Sequence, residues 1–127
     1  MDDGLIDLAG RMADAAAAVT RHWFRRRPEV DTKADASPVT IADREAEAAI
    51  RAILAAERPG DGIIGEEHGT ERADARHVWV IDPIDGTKAF ITGKPTFGTL
   101  IALLEDGRPV LGVIDQAIIG DRWIGMA

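Results

Sequence analysis

His77-Val-Trp-Val-Ile-Asp-Pro-Ile-Asp-Gly-Thr87 is the stretch on which the reading of the fold turns. Val78 to Ile81 are four apolar residues in a row and read as a buried strand. Asp82 follows at its end. Pro83 lacks an N–H and breaks the ladder, so the backbone is expected to turn there. Such a turn brings the Asp82 and Asp85 carboxylates to one point. Gly86 permits unusual dihedrals and lets a ligand approach the backbone. Thr87 offers a hydroxyl and opens a helical turn through Lys88-Ala-Phe90, whose first N–H groups suit a phosphate. Two carboxylates beside an anion-binding turn make sense together when cations lie between them. The plainer reading is an ordinary strand-to-helix turn, since Asp, Pro and Gly are common turn residues.

Upstream, the period changes. Leu5, Leu8, Met12, Ala15, Ala16, Val19 and Trp23 recur at helical spacing, which predicts an amphipathic helix over 5–26. Pro28 ends it or follows its end, and 28–39 is polar with two prolines, an irregular connection. A second helix is expected from Thr40 to Glu57, with Ala46, Ala49, Ile50, Ile53 and Leu54 as its apolar stripe and Pro59-Gly60 as its stop. Ile63-Ile64 reads as a short strand. Downstream, 97–104 and 109–114 are two strands joined at Glu105-Asp106-Gly107-Arg108, where Asp-Gly between apolar runs signals a hairpin. A last strand is expected over 122–125, and the apolar Trp123-Ile-Gly-Met-Ala127 suggests that further structure covers it. Helices first and mostly antiparallel strands after them define an α+β class, with two N-terminal helices layered on a sheet.

Two more acidic features bear on the Asp82 segment. Glu66-Glu67 follows Ile63-Ile64-Gly65, again a carboxylate pair just beyond a buried strand, although a solvated loop would look the same. Asp43 lies three residues after Thr40, where it could belong to a helix-capping box, although such a box prefers Glu or Gln there. Taken together, the three acidic clusters suggest one hard-cation site. Oxygen ligands and the absence of cysteine point to Mg²⁺, Mn²⁺ or Ca²⁺ rather than structural zinc. His22, His68 and His77 share no ligand spacing. The chain has neither a Gly-Lys-Ser/Thr phosphate loop nor a nucleophilic serine motif.

Composition sets the outer limits. With 127 residues and 46% apolar side chains, the chain fits one compact domain with its own core. The net charge of −7 disfavours nucleic acid, and Arg25-Arg26-Arg27 near a helix end complements the helix dipole. No stretch approaches the roughly 20 apolar residues of a membrane span. The acidic start is not an export signal, and with no cysteine an oxidising compartment is unnecessary. A cytoplasmic protein is the expectation.

Pro38-Val-Thr-Ile-Ala-Asp43, Ile64-Gly-Glu-Glu67 and Trp79-Val-Ile-Asp-Pro-Ile-Asp-Gly-Thr87 together resemble the inositol monophosphatase family in order and spacing. The likeness covers the chain but only the N-terminal half of that family, which implies the first half of a layered αβαβα phosphatase fold. Residues 1–127 would then be the N-terminal metal- and phosphate-binding domain. Lys88-Ala-Phe90, Gly98-Thr-Leu-Ile-Ala-Leu-Leu104, Gly112-Val-Ile-Asp-Gln116 and Asp121-Arg-Trp123 are similar to the histidinol-phosphatase branch. The resemblance implies Mg²⁺-dependent hydrolysis of a small phosphorylated metabolite, histidinol phosphate or else inositol monophosphate or another sugar or nucleotide phosphate. It also implies two or three Mg²⁺ ions, with Mn²⁺ as a substitute, and a homodimer of the full-length protein. By the same resemblance, Glu66, Asp82 and the Ile84 carbonyl hold one ion. Asp82 and Asp85 hold a second, and Glu67 stands near a weaker one. Asp85, Gly86 and Thr87 meet the substrate phosphate, while Asp43 and the Thr87 hydroxyl activate water. A further metal-binding aspartate lies in the C-terminal half of the family, so a non-catalytic metal-binding fragment is the alternative.

Overall fold

The computed structural model describes residues 3–26 and 38–127. The element order is α1 (Asp3–Trp23), α2 (Pro38–Glu57), β1 (Gly62–Gly65), β2 (Gly69–Glu71), β3 (His77–Asp85), α3 (Thr87–Ile91), β4 (Gly98–Glu105), β5 (Arg108–Gln116) and β6 (Asp121–Met126). The six strands form one sheet in the order β2-β1-β3-β4-β5-β6. Only β1 and β3 pair in parallel, so the sheet is mostly antiparallel as expected.

Both long helices lie on one face of the sheet. Leu5, Leu8, Met12 and Ala16 of α1 join Ala46, Ile50 and Leu54 of α2 in burying Ile63, Trp79, Ile81, Ile101, Leu103, Leu111 and Val113. These strand residues sit at alternate positions, as a pleated strand with one packed face requires. Trp79 is wholly buried, and its indole N–H donates to Asp61 at 2.9 Å, so its one polar atom is satisfied. The opposite face is apolar and open: Val80, Leu100, Ala102, Gly112, Ile114 and Trp123 line a trough of about 550 Å³. Trp123 is 53% exposed there. None of the helices is long and apolar enough to cross a membrane, among the described residues.

Several boundaries differ from those expected. The first helix ends at Trp23 rather than 26, and Arg25 takes a left-handed φ of 59°. Arg25 is not simply a solvated dipole partner either. It donates to the Gly93 carbonyl at 2.8 and 3.0 Å and lies over the Phe24 ring. Arg27, Pro28 and most of the expected irregular connection lie outside the described residues. The second helix starts at Pro38, a favoured first helical residue because its missing N–H needs no partner. Asp43 is therefore one turn too deep to complete a capping box with Thr40.

The expected turn at Asp82–Pro83 is a β-bulge instead. β3 continues to Asp85, with Asp82 opposite Leu100 and Asp85 opposite Gly98, so β3 carries one residue more than β4 across this interval. Pro83 is tolerated because a bulge does not require its missing donor. The buried Thr99 hydroxyl donates to the Pro83 carbonyl at 2.8 Å and satisfies an acceptor that the disturbed ladder leaves over. The short edge strand β2 was not expected; its three residues are all exposed and carry no apolar pattern. The hairpin stands as expected, with φ of 49° at Asp106 and 79° at Gly107.

Candidate active site

The parallel register sets Gly65 of β1 beside Ile81 of β3. The next residues, Glu66 just past β1 and Asp82 at the start of the β3 bulge, therefore lie at the same end of the sheet. Asp43 reaches that end from α2, and burial first, then the charges of Glu67, Asp82, Glu66 and Glu47, push its carboxyl from 3.8 up to about 7. Asp82 is also raised, by burial first and then by Asp85 and Glu66, against a stabilising hydrogen bond from the Ile84 N–H across the bulge. These mutual effects show that the acidic side chains of three separate segments share one electrostatic field.

Beneath them lies a second small core. Ala42, Ile84, Phe90 and Phe97 are buried together, with Trp23, Phe24, Ala89 and Ile118 packed around them. Phe90 and Phe97 meet edge to face at 5.0 Å, which pins α3 to the start of β4. Gly86 precedes α3 with φ 92° and ψ 50°, a left-handed conformation that a side chain would strain. The Gly86 carbonyl accepts from Phe90 N–H at 3.1 Å, so the helical turn begins at Thr87 as expected. Gly86, Thr87 and Asp85 are exposed, and the first amides of this turn have no intrahelical acceptor.

The expected carboxylates are thus brought into one field, from α2 (Asp43), beyond β1 (Glu66, Glu67) and the bulge (Asp82, Asp85); Ile84 lies in that bulge, and Gly86 and Thr87 form the turn that follows it. The donor set consists of carboxylates and main-chain oxygens, which suits a hard cation. Among the described residues, no three His, Asp or Glu side chains already enclose a single point. The arrangement is an open rim of donors rather than a closed shell. Mg²⁺ fits such a rim, because it takes few carboxylates and completes its shell with water and phosphate oxygens. Of these residues, Asp82 alone also lines the apolar trough on the open face.

The sequence reading missed Glu47. It is fully buried on α2 and accepts from the amides of the Glu66–Glu67 loop. Its partners lie about twenty residues along the chain, so no local pattern in the sequence signals it.

Clustered carboxylates, a β-bulge and a helical turn with free first amides thus meet at one end of an α+β sheet. The chain belongs to the inositol monophosphatase family, whose model matches residues 2–127. It is 52% identical over 126 residues to the chloroplastic bifunctional phosphatase IMPL2 of Arabidopsis thaliana, covering 98% of this chain and 36% of that protein. It is 46% identical over 123 residues to the histidinol-phosphatase of Mycobacterium tuberculosis, covering 96% of this chain and 46% of that one. Among solved structures, an inositol monophosphatase from Zymomonas mobilis matches with a TM-score of 0.86 and 60% identity, over 98% of this chain and 47% of that chain. The chain spans half or less of the length of these relatives. The α+β architecture expected from the sequence is that of the N-terminal half of this fold.

Proposed function

We propose that the protein hydrolyses a small phosphate monoester with divalent cations, Mg²⁺ first and Mn²⁺ second, and that histidinol phosphate is the substrate. The observation that carries this reading is the meeting of Asp43, Glu66 and Asp82 from distant segments in one field of negative charge. Like charges gathered at that density are costly unless cations lie between them. In this reading Glu66, Asp82 and the Ile84 carbonyl hold one ion, Asp82 and Asp85 a second, and Glu67 stands beside a weaker third. The amides of Gly86 and Thr87 receive the phosphate, with Asp85 alongside. Asp43 and the Thr87 hydroxyl orient the attacking water and take its proton, as a carboxylate base within reach of a bound water can. When bound, the cations acidify water and stabilise charge on the leaving oxygen.

Identity of 43–46% to three proteins named histidinol-phosphatase supports the substrate. Inositol monophosphate is the second reading, favoured by the 60% identity to a structure named for that activity. The test is phosphate release from histidinol phosphate, inositol 1-phosphate and a 3′(2′),5′-bisphosphate nucleotide, with Mg²⁺ and in chelator. The protein is assayed together with any sequence that its gene places after Ala127. Release should require Mg²⁺, be fastest with histidinol phosphate, and fall at least about a hundredfold in Asp82→Asn, which removes a charge-stabilising group. Full activity in that variant or in chelator overturns the mechanism. Faster release from another substrate overturns the histidinol assignment.

A further inference from the structure

We infer that Glu47 is a positioning residue whose buried carboxylate sets the Glu66–Glu67 loop where a cation can use it; the inference rests on the cation site proposed above. Glu47 stands in the middle of α2 with none of its surface exposed. A carboxylate persists in such a place only if its oxygens are bonded. They are. One oxygen accepts from the Glu67 N–H at 3.3 Å, and the other accepts from the His68 N–H at 2.8 Å and from Arg51 Nε at 3.2 Å.

The loop is shaped around this group. A Cβ at Gly65 would overlap the Glu47 carboxylate, so glycine there serves the close approach of an acid to the end of β1. Arg51 extends the contact: its guanidinium also bonds the Gly69 carbonyl and reaches Glu71 at 3.3 Å, tying β2 to the same anchor. On the other side, Arg44 pairs with Glu67 at 3.8 Å, and its carbonyl meets the His68 ring at 3.0 Å. Asp43, Glu47 and Arg51 follow one another at four-residue spacing along one face of α2. One helix face thus supplies an acid of the site, the clamp on the loop carrying Glu66, and the counterion of that clamp. Glu47 touches neither cation nor substrate in this arrangement. It acts through the two amides that follow Glu66.

The experiment compares the purified protein with Glu47→Gln, which keeps the shape but removes the charge and turns an NH₂ group toward N–H donors. Leu54→Ala, a buried truncation farther along α2, serves as a control that loosens the same helix. Mn²⁺ binding is followed by the electron paramagnetic resonance of free Mn²⁺, and metal-free amide exchange is followed at Glu67 and His68. Glu47→Gln should weaken Mn²⁺ binding about tenfold, the usual effect of losing a group that orients a ligand. It should also speed exchange at both amides. Leu54→Ala should leave Mn²⁺ affinity within about twofold of wild type while the protein remains folded. Equal Mn²⁺ affinity in Glu47→Gln and wild type overturns the inference, as does an equal loss in Leu54→Ala. A wild type that binds no Mn²⁺ overturns the cation site itself, whereas unchanged exchange at Glu67 and His68 overturns the clamp whatever the metal does. Should Glu47→Gln fail to fold, Gly65→Ala displaces the same carboxylate without neutralising it, and the same losses are expected.

Discussion

Replacing Asp43 by Asn should stabilise the metal-free protein at neutral and alkaline pH, the reverse of the usual effect of changing a partly buried residue. In the folded chain the Asp43 carboxyl titrates at about 7, against an ordinary value of 3.8. Between those values the folded chain holds a proton that the unfolded chain has lost. Stability attributable to this group is therefore complete below about pH 4, falls as pH rises, and is gone above about pH 7. A separation of about three pH units corresponds to about 4 kcal/mol. Asp43 keeps some contact with water, and screening brings the expected figure to about 2 kcal/mol. Asparagine carries no charge at any of these pH values. The variant should match wild type near pH 4 and exceed it by about 2 kcal/mol at pH 8. Asp82, raised for similar reasons, adds to the downward slope of wild type. Urea titrations followed by tryptophan fluorescence, at pH 4, 6 and 8 without divalent cation, measure the difference directly. Saturating Mg²⁺ at pH 8 should narrow it, because bound cations cancel the field that Asn escapes. A variant no more stable than wild type at pH 8, or a difference independent of pH, would refute the argument.

Two further substitutions probe the scaffold under the site. Thr99→Val keeps the side-chain shape but leaves the Pro83 carbonyl at the bulge without its buried partner, and should cost about 1–3 kcal/mol in a urea titration, with Thr99→Ser recovering most of it. Gly86→Ala forces a side chain into a left-handed φ of 92° with its Cβ 3.4 Å from Phe97 Cα. It should cost about 1–2 kcal/mol, lower the melting temperature by several degrees, and weaken protection by inorganic phosphate in the presence of Mg²⁺.

What the sequence made legible follows from how local each feature is. The helical stripe around Leu8, Met12 and Ala16, the Asp106-Gly107 turn and the apolar run before Asp82 are encoded within a few residues, and all are found in the fold. The acidic residues could be read as one site because they matched a known pattern; periodicity alone left Glu66-Glu67 indistinguishable from a solvated loop. What escaped is non-local. β2 exists because Ile63 and Ile64 offer it a partner, not because Gly69-Thr-Glu71 favours a strand. The bulge requires the Thr99 hydroxyl, which comes from another strand. Burial of Glu47 depends on amides twenty residues away turning down onto a helix, and no helical periodicity predicts that.

The parallel seam between β1 and β3 has a consequence for the order of assembly. Asp43, Glu66 and Asp82 become neighbours only after an edge excursion through β2 has closed and Gly65 has come level with Ile81. Pairings of this kind form late, because a length of chain must be immobilised before any contact rewards it. A nascent or partly folded chain therefore presents scattered carboxylates with no common grip on an ion. On the cation-site reading, divalent metal adds its binding free energy only to the completed native state and drains population from unfinished ones. Metal supply would then set how much of the protein survives as well as how fast it works.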